Sequence, residues 1–258
     1  MAYAISEQNL ERQKLLASIM GPVTDRFLES LPLPSVSRCL DLGCGMGETT
    51  RQLAGKLDNV VELIGVDQDP SLIEVARSVS GSADGKITFQ QGDAAHLSFE
   101  DQTFDFVFAR YLLHHLDQPQ VVLAEMLRVC KSGGIVAVQE PDCAKQYCYP
   151  ESWAYEKIPE IYSRVFANAF IGRQLYSLFR QLGCPSPHID VMTLAGVNVE
   201  LRRSYRMVME AIGPALIEKG ILDSKELEEL CEELRRVEEQ DEVLCVWSPT
   251  FSVWVNRT

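Results

Sequence analysis

Apolar residues recur through positions 5–31 at Leu10, Leu15, Leu16, Ile19, Val23 and Phe27, close to the 3.6-residue spacing of a helix. Gly21-Pro22 interrupts the pattern, so two helices or one sharply kinked helix are expected there. "LPLPS" (31–35) ends the helical run. From residue 36 the pattern becomes strand-sized apolar runs alternating with amphipathic stretches. Runs at 36–42, 60–66, 86–90, 103–109 and 134–140 predict strands, and 47–56, 70–80 and 119–130 predict helices. Apolar strands separated by helices imply βαβ units and a parallel sheet covered on both faces.

Beyond residue 140 the alternation loosens. Helices are predicted over 151–170 and 173–182, the second stopped by Gly183 and Pro185. A strand is expected at 188–197, helices at 201–218 and 223–241, and a last strand at 243–256. The sheet should therefore end in an antiparallel pair, with helices inserted before each member as candidate lids.

Length, charge and thiols narrow the classes. A chain of 258 residues can build one large domain with an appended lid. The net charge of −13 repels phosphate backbones, so no nucleic-acid partner is expected. Residues 218–242 hold eleven acids against four bases, a pattern that reads as a solvated helix face. No apolar run approaches the roughly 20 residues that cross a bilayer, so no membrane partner is expected. The first residues lack the pattern of a signal peptide, and a cytoplasmic location is the expectation. Eight cysteines form no CxxC pair and no zinc-finger spacing with His, so reduced thiols and no metal are expected.

The chemistry concentrates in "DLGCGMGETT" (41–50). Three glycines after a strand suit either an ordinary tight turn or a backbone that a ligand approaches closely. Asp67, in "IGVDQDP", lies 24 residues past Gly43 at the end of the second strand, where an acid can accept both hydroxyls of a ribose. A dinucleotide loop would need glycine at position 48. Glu48 stands there instead, and an acid sits poorly against a pyrophosphate. The G-x-G-x-G loop suits a nucleoside cofactor without phosphate, and NAD is disfavoured.

Together with "GVDQDP", "QGDAAHLSF" (91–99), "FDFVFARYLLHHL" (104–116) and "GGIVAVQEPD" (133–142), this loop resembles the class I S-adenosylmethionine-dependent methyltransferases, in their small-molecule branch. The resemblance covers residues 36–140. It implies an α/β fold: a Rossmann-like, doubly wound, mostly parallel seven-stranded sheet with an antiparallel last strand, plus N-terminal and inserted lid helices. Residues 1–35 would form the lid and 36–145 the cofactor-binding core. Residues 146–258 would complete the sheet and the substrate pocket. The resemblance also implies S-adenosyl-L-methionine as cofactor and a small-molecule acceptor, of secondary or lipid-like metabolism, for a monomer or homodimer.

Carried over by position, Gly43, Cys44 and Gly45 would face the methionine part of the cofactor. Asp67 would hold the ribose and Gln68 would lie beside the adenine. Asp93 and the Ala94 N–H would contact the adenine, and Arg110 and Tyr111 would lie where the methionine amino group is met. Asp41 either joins the ligand or caps the loop. Asp67 and Asp93 also suit turn formation.

The candidate bases are His114, His115 and Glu140, with Asp142 near them at the same sheet edge. For each histidine the competing reading is packing, and for the acids it is solvation and capping. Tyr147, Tyr149, Trp153 and Tyr155 could line a pocket for a flat acceptor or pack inserted helices. Tyr3, Gln8 and Arg12 could fold over the cofactor. "ARYLL" (109–113) replaces the D/N-P-P-Y/F tetrad of nitrogen-directed relatives, which favours a small-molecule acceptor. The alternative function is a catalytically silent protein of the same fold that binds the nucleoside or serves as a partner subunit.

Overall fold

In the computed structural model, which describes residues 7–33, 35–80 and 85–258, the chain opens with helix α1 (Glu7–Ser30). The apolar runs then form β1 (Arg38–Leu42), β2 (Glu62–Asp67), β3 (Ile87–Gln91), β4 (Phe104–Arg110) and β5 (Cys130–Pro141). Between them lie α2 (Glu48–Lys56), α3 (Pro70–Ser80) and α4 (Pro119–Val129). The second half carries β6 (Tyr147–Tyr149), α5 (Trp153–Val165), α6 (Leu175–Gln181), β7 (His188–Met192) and β8 (Ala195–Gly196). It ends with α7 (Val199–Glu218), α8 (Ser224–Glu238), β9 (Leu244–Val246) and β10 (Thr250–Asn256).

The main sheet has the order β3-β2-β1-β4-β5-β10-β7, seven strands in all. β1 lies parallel between β2 and β4, and β10 inserts antiparallel between β5 and β7. β7 and β10 are the expected antiparallel pair, and only β10 runs against the other six. The chain reverses its winding between β1 and β4, so the loops after those strands face a common crevice, where open sheets of this type hold ligands.

Both faces of the central strands are buried, which explains their unbroken apolar composition. Leu40, Leu42, Val107, Val136 and Val138 face the core packed by α4 and α6. Cys39, Phe106, Phe108 and Ile135 face the other, against Phe27 and Leu28 of α1 and Leu53 of α2. A third core joins α5, α7 and α8 with Met20 and Val23 of α1. One helix therefore serves both the sheet and the helical cap. The acidic α8 buries Leu230, Leu234 and Val237 and leaves most of its glutamates in solvent.

Three expectations are corrected. Gly21-Pro22 does not break α1, which runs continuously through Pro22. Proline removes the N–H that would bond the Ser18 carbonyl. Ser18 and Pro22 both lie on the exposed side, where water can take that bond. Residues 188–197 and 243–256 each split into two strands. Their short members, β8 and β9, join β6 in a separate three-stranded sheet with β9 in the middle. In the second split Pro249, which has no N–H for a ladder, stands between β9 and β10.

Candidate active site

The loop after β1 is built on positive φ angles at Gly43 (73°), Gly45 (53°) and Gly47 (81°). Gly47 is needed twice over, because a Cβ there would sit 2.5 Å from Phe89 Cζ. The loop's N–H groups are directed inward. Gly43 and Cys44 both donate to the Val66 carbonyl (2.8 and 3.0 Å), and Gly47 donates to Cys44. Gly43 and Gly45 line the main cavity. The Cys44 side chain turns into the protein, and burial raises its thiol well above the usual range. Gly43 and Gly45 thus give the cavity a bare, closely approachable floor, while the N–H groups of Gly43, Cys44, Gly45 and Gly47 are bonded within the protein.

Asp67 ends β2 at the lip of the cavity. Its Oδ2 accepts the Gly45 N–H at 2.9 Å and its Oδ1 accepts the Asp69 N–H at 3.0 Å. Each oxygen keeps a lone pair beyond these bonds. Gln68 lines the same lip, as do Asp93 and Ala94 beyond β3. Asp93 accepts the Ala95 N–H and meets His96 Nδ1 at 3.2 Å, contacts that hold its carboxyl below the usual range. The turn-forming roles weighed for both acids are thus present alongside their exposure to the cavity.

Asp41 and Arg110 lie behind this surface, outside the cavity lining. Asp41 is buried, accepts the Thr50 hydroxyl at 2.6 Å, and is pushed up to about 6 by burial. Arg110 donates to Thr24 Oγ1 and Gln52 Oε1 and belongs to the packing of α1 on the sheet. Of the two roles open to Asp41 the structure shows the one within the protein, and the Arg110 side chain is turned away from the cavity. Tyr111 does reach the cavity, with φ 56° and its hydroxyl paired with Thr250 Oγ1 at 2.8 Å.

Glu140 is fully buried and does not face the cavity. Oε1 accepts the Leu112 and Leu113 N–H groups (2.8 and 2.6 Å), and Oε2 meets His114 Nδ1 at 2.8 Å. It fixes the turn that presents the histidines, so its expected role as an acceptor-facing base is corrected to positioning. Burial raises its carboxyl to about 8 and lowers His114 to about 3. His114 and His115 both line the cavity, with ring centroids 3.9 Å apart and Phe166 edge-on to each. Burial also lowers His115 well below its usual value. Asp142 is buried and paired with Arg173.

One cavity of 1410 Å³ joins these parts among the described residues, larger than the about 300–1,000 Å³ of ordinary small-molecule pockets. Arg12 and Gln13 of α1 close one side. Tyr162, Phe166, Tyr205 and Trp247 form an aromatic part of its wall, with Tyr162 packed on Phe166 and Tyr205 on Trp247. Sequence reading missed that wall. The aromatic run weighed for a pocket or for packing lies elsewhere: Tyr147, Tyr149 and Trp153 point to solvent, and Tyr155 packs, buried against Cys245. Alternation along β6 turns Cys148 inward and both tyrosines out. Of the N-terminal lid residues, Tyr3 and the Gln8 side chain lie outside the described residues. The four-residue step from Tyr162 to Phe166, which places both rings on one helical face, was the available signal. Among the described residues no cluster of His, Cys, Asp or Glu could hold a metal, and no helix is long and apolar enough to cross a membrane.

Residues 40–138 match the methyltransferase domain family. The 27-O-demethylrifamycin SV methyltransferase of Amycolatopsis mediterranei is 33% identical over 116 residues, 45% of this chain and 43% of that enzyme. The demethylmenaquinone methyltransferase of Lactiplantibacillus plantarum is 27% identical over 181 residues, 63% of this chain and 76% of that one. The match to the rifamycin-type relative thus spans less than half of that protein. Phosphoethanolamine N-methyltransferase 2 of Haemonchus contortus, solved with S-adenosyl-L-methionine, shares the fold at a TM-score of 0.59 and 19% identity, over 92% of this chain and 53% of that one. The domain match holds both the glycine loop and the acid closing β2, so residues 40–138 of this chain are similar to the class I S-adenosylmethionine-dependent methyltransferases.

Proposed function

We propose that this chain transfers a methyl group from S-adenosylmethionine to a small, flat, largely apolar acceptor bound between the glycine loop and the aromatic wall. The observation that carries this reading is the continuity of the cavity from Asp67 to Tyr205 and Trp247, with volume for cofactor and acceptor together. When bound, the cofactor supplies an electrophilic methyl on a sulfonium centre. The residues present fit it. At Gly45 a Cβ would project toward Gln13, whose Oε1 lies 3.7 Å away, so a bare backbone keeps this side open. The lone pairs left on Asp67 suit a vicinal diol, and Gln68, Asp93 and Ala94 edge the space beyond for a purine.

The chain's own part in the chemistry is alignment, exclusion of water and proton acceptance. Leu112, Tyr162 and Phe166 shield the reacting region. His115 is the group placed to take a proton from the acceptor, its plane held by Phe166 and His114; burial lowers its basicity, which confines it to acceptors whose proton is already acidic. Glu140 acts through His114 as a positioning residue. The names of the relatives, one marking an oxygen of rifamycin SV and one a quinone, agree with a ring-bearing acceptor.

The test is twofold. Calorimetry with S-adenosylhomocysteine should give binding to the wild type, and methyl-labelled S-adenosylmethionine should then label at least one member of a panel of phenols, quinols and aromatic amines. Absence of binding overturns the cofactor assignment. Binding without label on any panel member overturns the transferase reading in favour of a silent nucleoside-binding protein.

A further inference from the structure

The bonds between Glu140 and the histidine turn settle one nitrogen of His114 and leave the other to the cavity. Glu140 is fully buried, and its two oxygens have different partners. Oε1 accepts the N–H groups of both Leu112 and Leu113, whereas Oε2 meets His114 Nδ1 at 2.8 Å. A proton on this carboxyl therefore belongs on Oε2, directed at Nδ1, because on Oε1 it would confront two donors. His114 lines the cavity, and its Nδ1 end is turned away, toward a carboxyl outside the lining. Nε2 stands at the other end of the ring. Among the described residues it has no hydrogen-bond partner, and it is not sealed from the cavity.

We propose that the carboxyl proton of Glu140 sets the polarity of His114 Nε2 toward the methyl acceptor. With that proton present, Nε2–H donates to an oxygen of the acceptor; with it gone, the bare nitrogen accepts from a hydroxyl or amine. The inference rests on the acceptor pocket proposed above. When Glu140 carries its proton, Oε2–H donates to Nδ1, and a neutral imidazole must hold its single hydrogen on Nε2. When Glu140 is ionised, Nδ1–H donates to Oε2, and the lone pair lies on Nε2. Loss of one proton to solvent thus moves the ring hydrogen from Nε2 to Nδ1 and reverses the polarity seen from the cavity without charging the ring. Burial disfavours charge on both groups, raising the carboxyl to about 8 and lowering the ring, so the donor form holds at neutral pH. The other titratable groups facing the pair are Tyr111, Cys143 and His115. Burial raises the first two and lowers the third, so none changes charge across that exchange. Arg110 bears on Tyr111 and Arg12 on His115, while Asp142 is paired with Arg173. From the remaining elements, α5 meets the His114 ring with Phe166, and β10 sets Phe251 opposite Glu140.

The experiment uses the full chain saturated with S-adenosylhomocysteine and labelled with nitrogen-15 at histidine. Ring nitrogen shifts report which nitrogen bears the hydrogen. His114→Gln assigns the signal among the four histidines, and His96→Gln, His115→Gln and His188→Gln reach the same assignment by elimination. Between about pH 6.5 and about pH 9.5, on either side of the carboxyl's value, the His114 hydrogen should pass from Nε2 to Nδ1 with no imidazolium appearing. Glu140→Gln should hold one tautomer throughout. Over the same range the affinity of the wild type for 2-acetonaphthone, whose carbonyl only accepts, should fall about five- to tenfold, the worth of one neutral hydrogen bond. The affinity for 2-ethylnaphthalene, which lacks the carbonyl, should stay within about twofold. A His114 hydrogen that keeps to one nitrogen, or that moves equally in Glu140→Gln, overturns the inference. So does a ketone affinity that does not follow the tautomer. Those outcomes leave the pocket standing. If neither probe binds the wild type while S-adenosylhomocysteine does, the acceptor pocket itself is overturned and the inference with it.

Discussion

Replacing Asp67 tests the cofactor site at its most informative residue. In Asp67→Ala the loss comprises two charge-assisted hydrogen bonds to a diol, each worth about 1.5–3 kcal/mol. The sum, about 3–6 kcal/mol, corresponds to a hundredfold to ten-thousandfold weaker S-adenosylhomocysteine, at about 1.4 kcal/mol per decade. Asp67→Asn should be nearly as damaging, for a reason specific to this site. Both carboxylate oxygens already accept a backbone N–H, from Gly45 and Asp69. An amide NH₂ must therefore confront one of those donors, whichever way it is turned. Calorimetric titration at fixed ionic strength measures the affinity, and urea unfolding of the unliganded variants separates loss of site from loss of fold. The expected pattern is a collapse of affinity in both variants with folding stability reduced by about 1–2 kcal/mol, since Asp67 is only half-buried and water can take up the freed donors. Affinity within about threefold of wild type for folded Asp67→Ala would refute the assignment.

Gly47→Ala should lower stability by about 2–4 kcal/mol in urea unfolding, from a strained φ of 81° and overlap with Phe89. Gly45→Ala, open toward Gln13, should cost only about 1–2 kcal/mol of stability yet weaken S-adenosylhomocysteine, and equal stability losses for the two would contradict the loop geometry. Asp41 is raised from 3.8 to about 6, so wild-type stability should fall as pH rises through that window, by up to about 3 kcal/mol. Asp41→Asn, which keeps an acceptor for Thr50, should flatten that limb, and an unchanged slope would count against it. Glu140, raised from 4.5 to about 8, likewise contributes stability below pH 4.5 that is lost as pH climbs toward 8. Glu140→Gln should flatten the urea midpoint across that range while lowering kcat more than it changes cofactor affinity. A pure loss of affinity at unchanged kcat would show that Glu140 does not act through the histidine turn.

The sheet was legible because strands buried on both faces leave an unambiguous record. Runs such as "FDFVFA" have no polar side to confuse with a helix, and the glycines and Asp67 sit at positions that the winding of the sheet alone brings to one crevice. Chain-local reasoning failed where burial depends on partners distant in sequence. Pro22 looked like a breaker because its cost is local, whereas its relief lies in which side of α1 faces water. Glu140 looked like a base and Arg110 like a cofactor neighbour because both lie at strand ends on the reactive edge. Their side chains instead turn back, one to the N–H groups of Leu112 and Leu113 and the other to Thr24 and Gln52. Tyr147 and Tyr149 looked like pocket residues because "YCY" gives no hint of which alternate faces in. That is decided by pairing with β9, nearly a hundred residues later.

The same contrast explains how this fold can keep one cofactor and exchange acceptors. The loop, Asp67, Asp93 and the histidine turn all fall within residues 40–138, the stretch matched to the family. The proposed acceptor wall draws on α1, α5, α7 and the turn between β9 and β10, all outside that stretch. Its placement depends on the small sheet, where β9 pairs on one side with β6 and on the other with β8. Trp247 follows β9 directly, so the register of a three-residue strand sets where the indole stands. A substitution that shifts β9 should therefore alter acceptor preference while leaving S-adenosylhomocysteine affinity intact. Tyr155, buried with its hydroxyl 3.0 Å from Cys245 Sγ, is the side chain best placed to cause such a shift. Tyr155→Phe should change which phenol, quinol or aromatic amine is labelled without weakening S-adenosylhomocysteine. Parallel losses at both ends of the cavity would mean that the cap and the sheet move as one body.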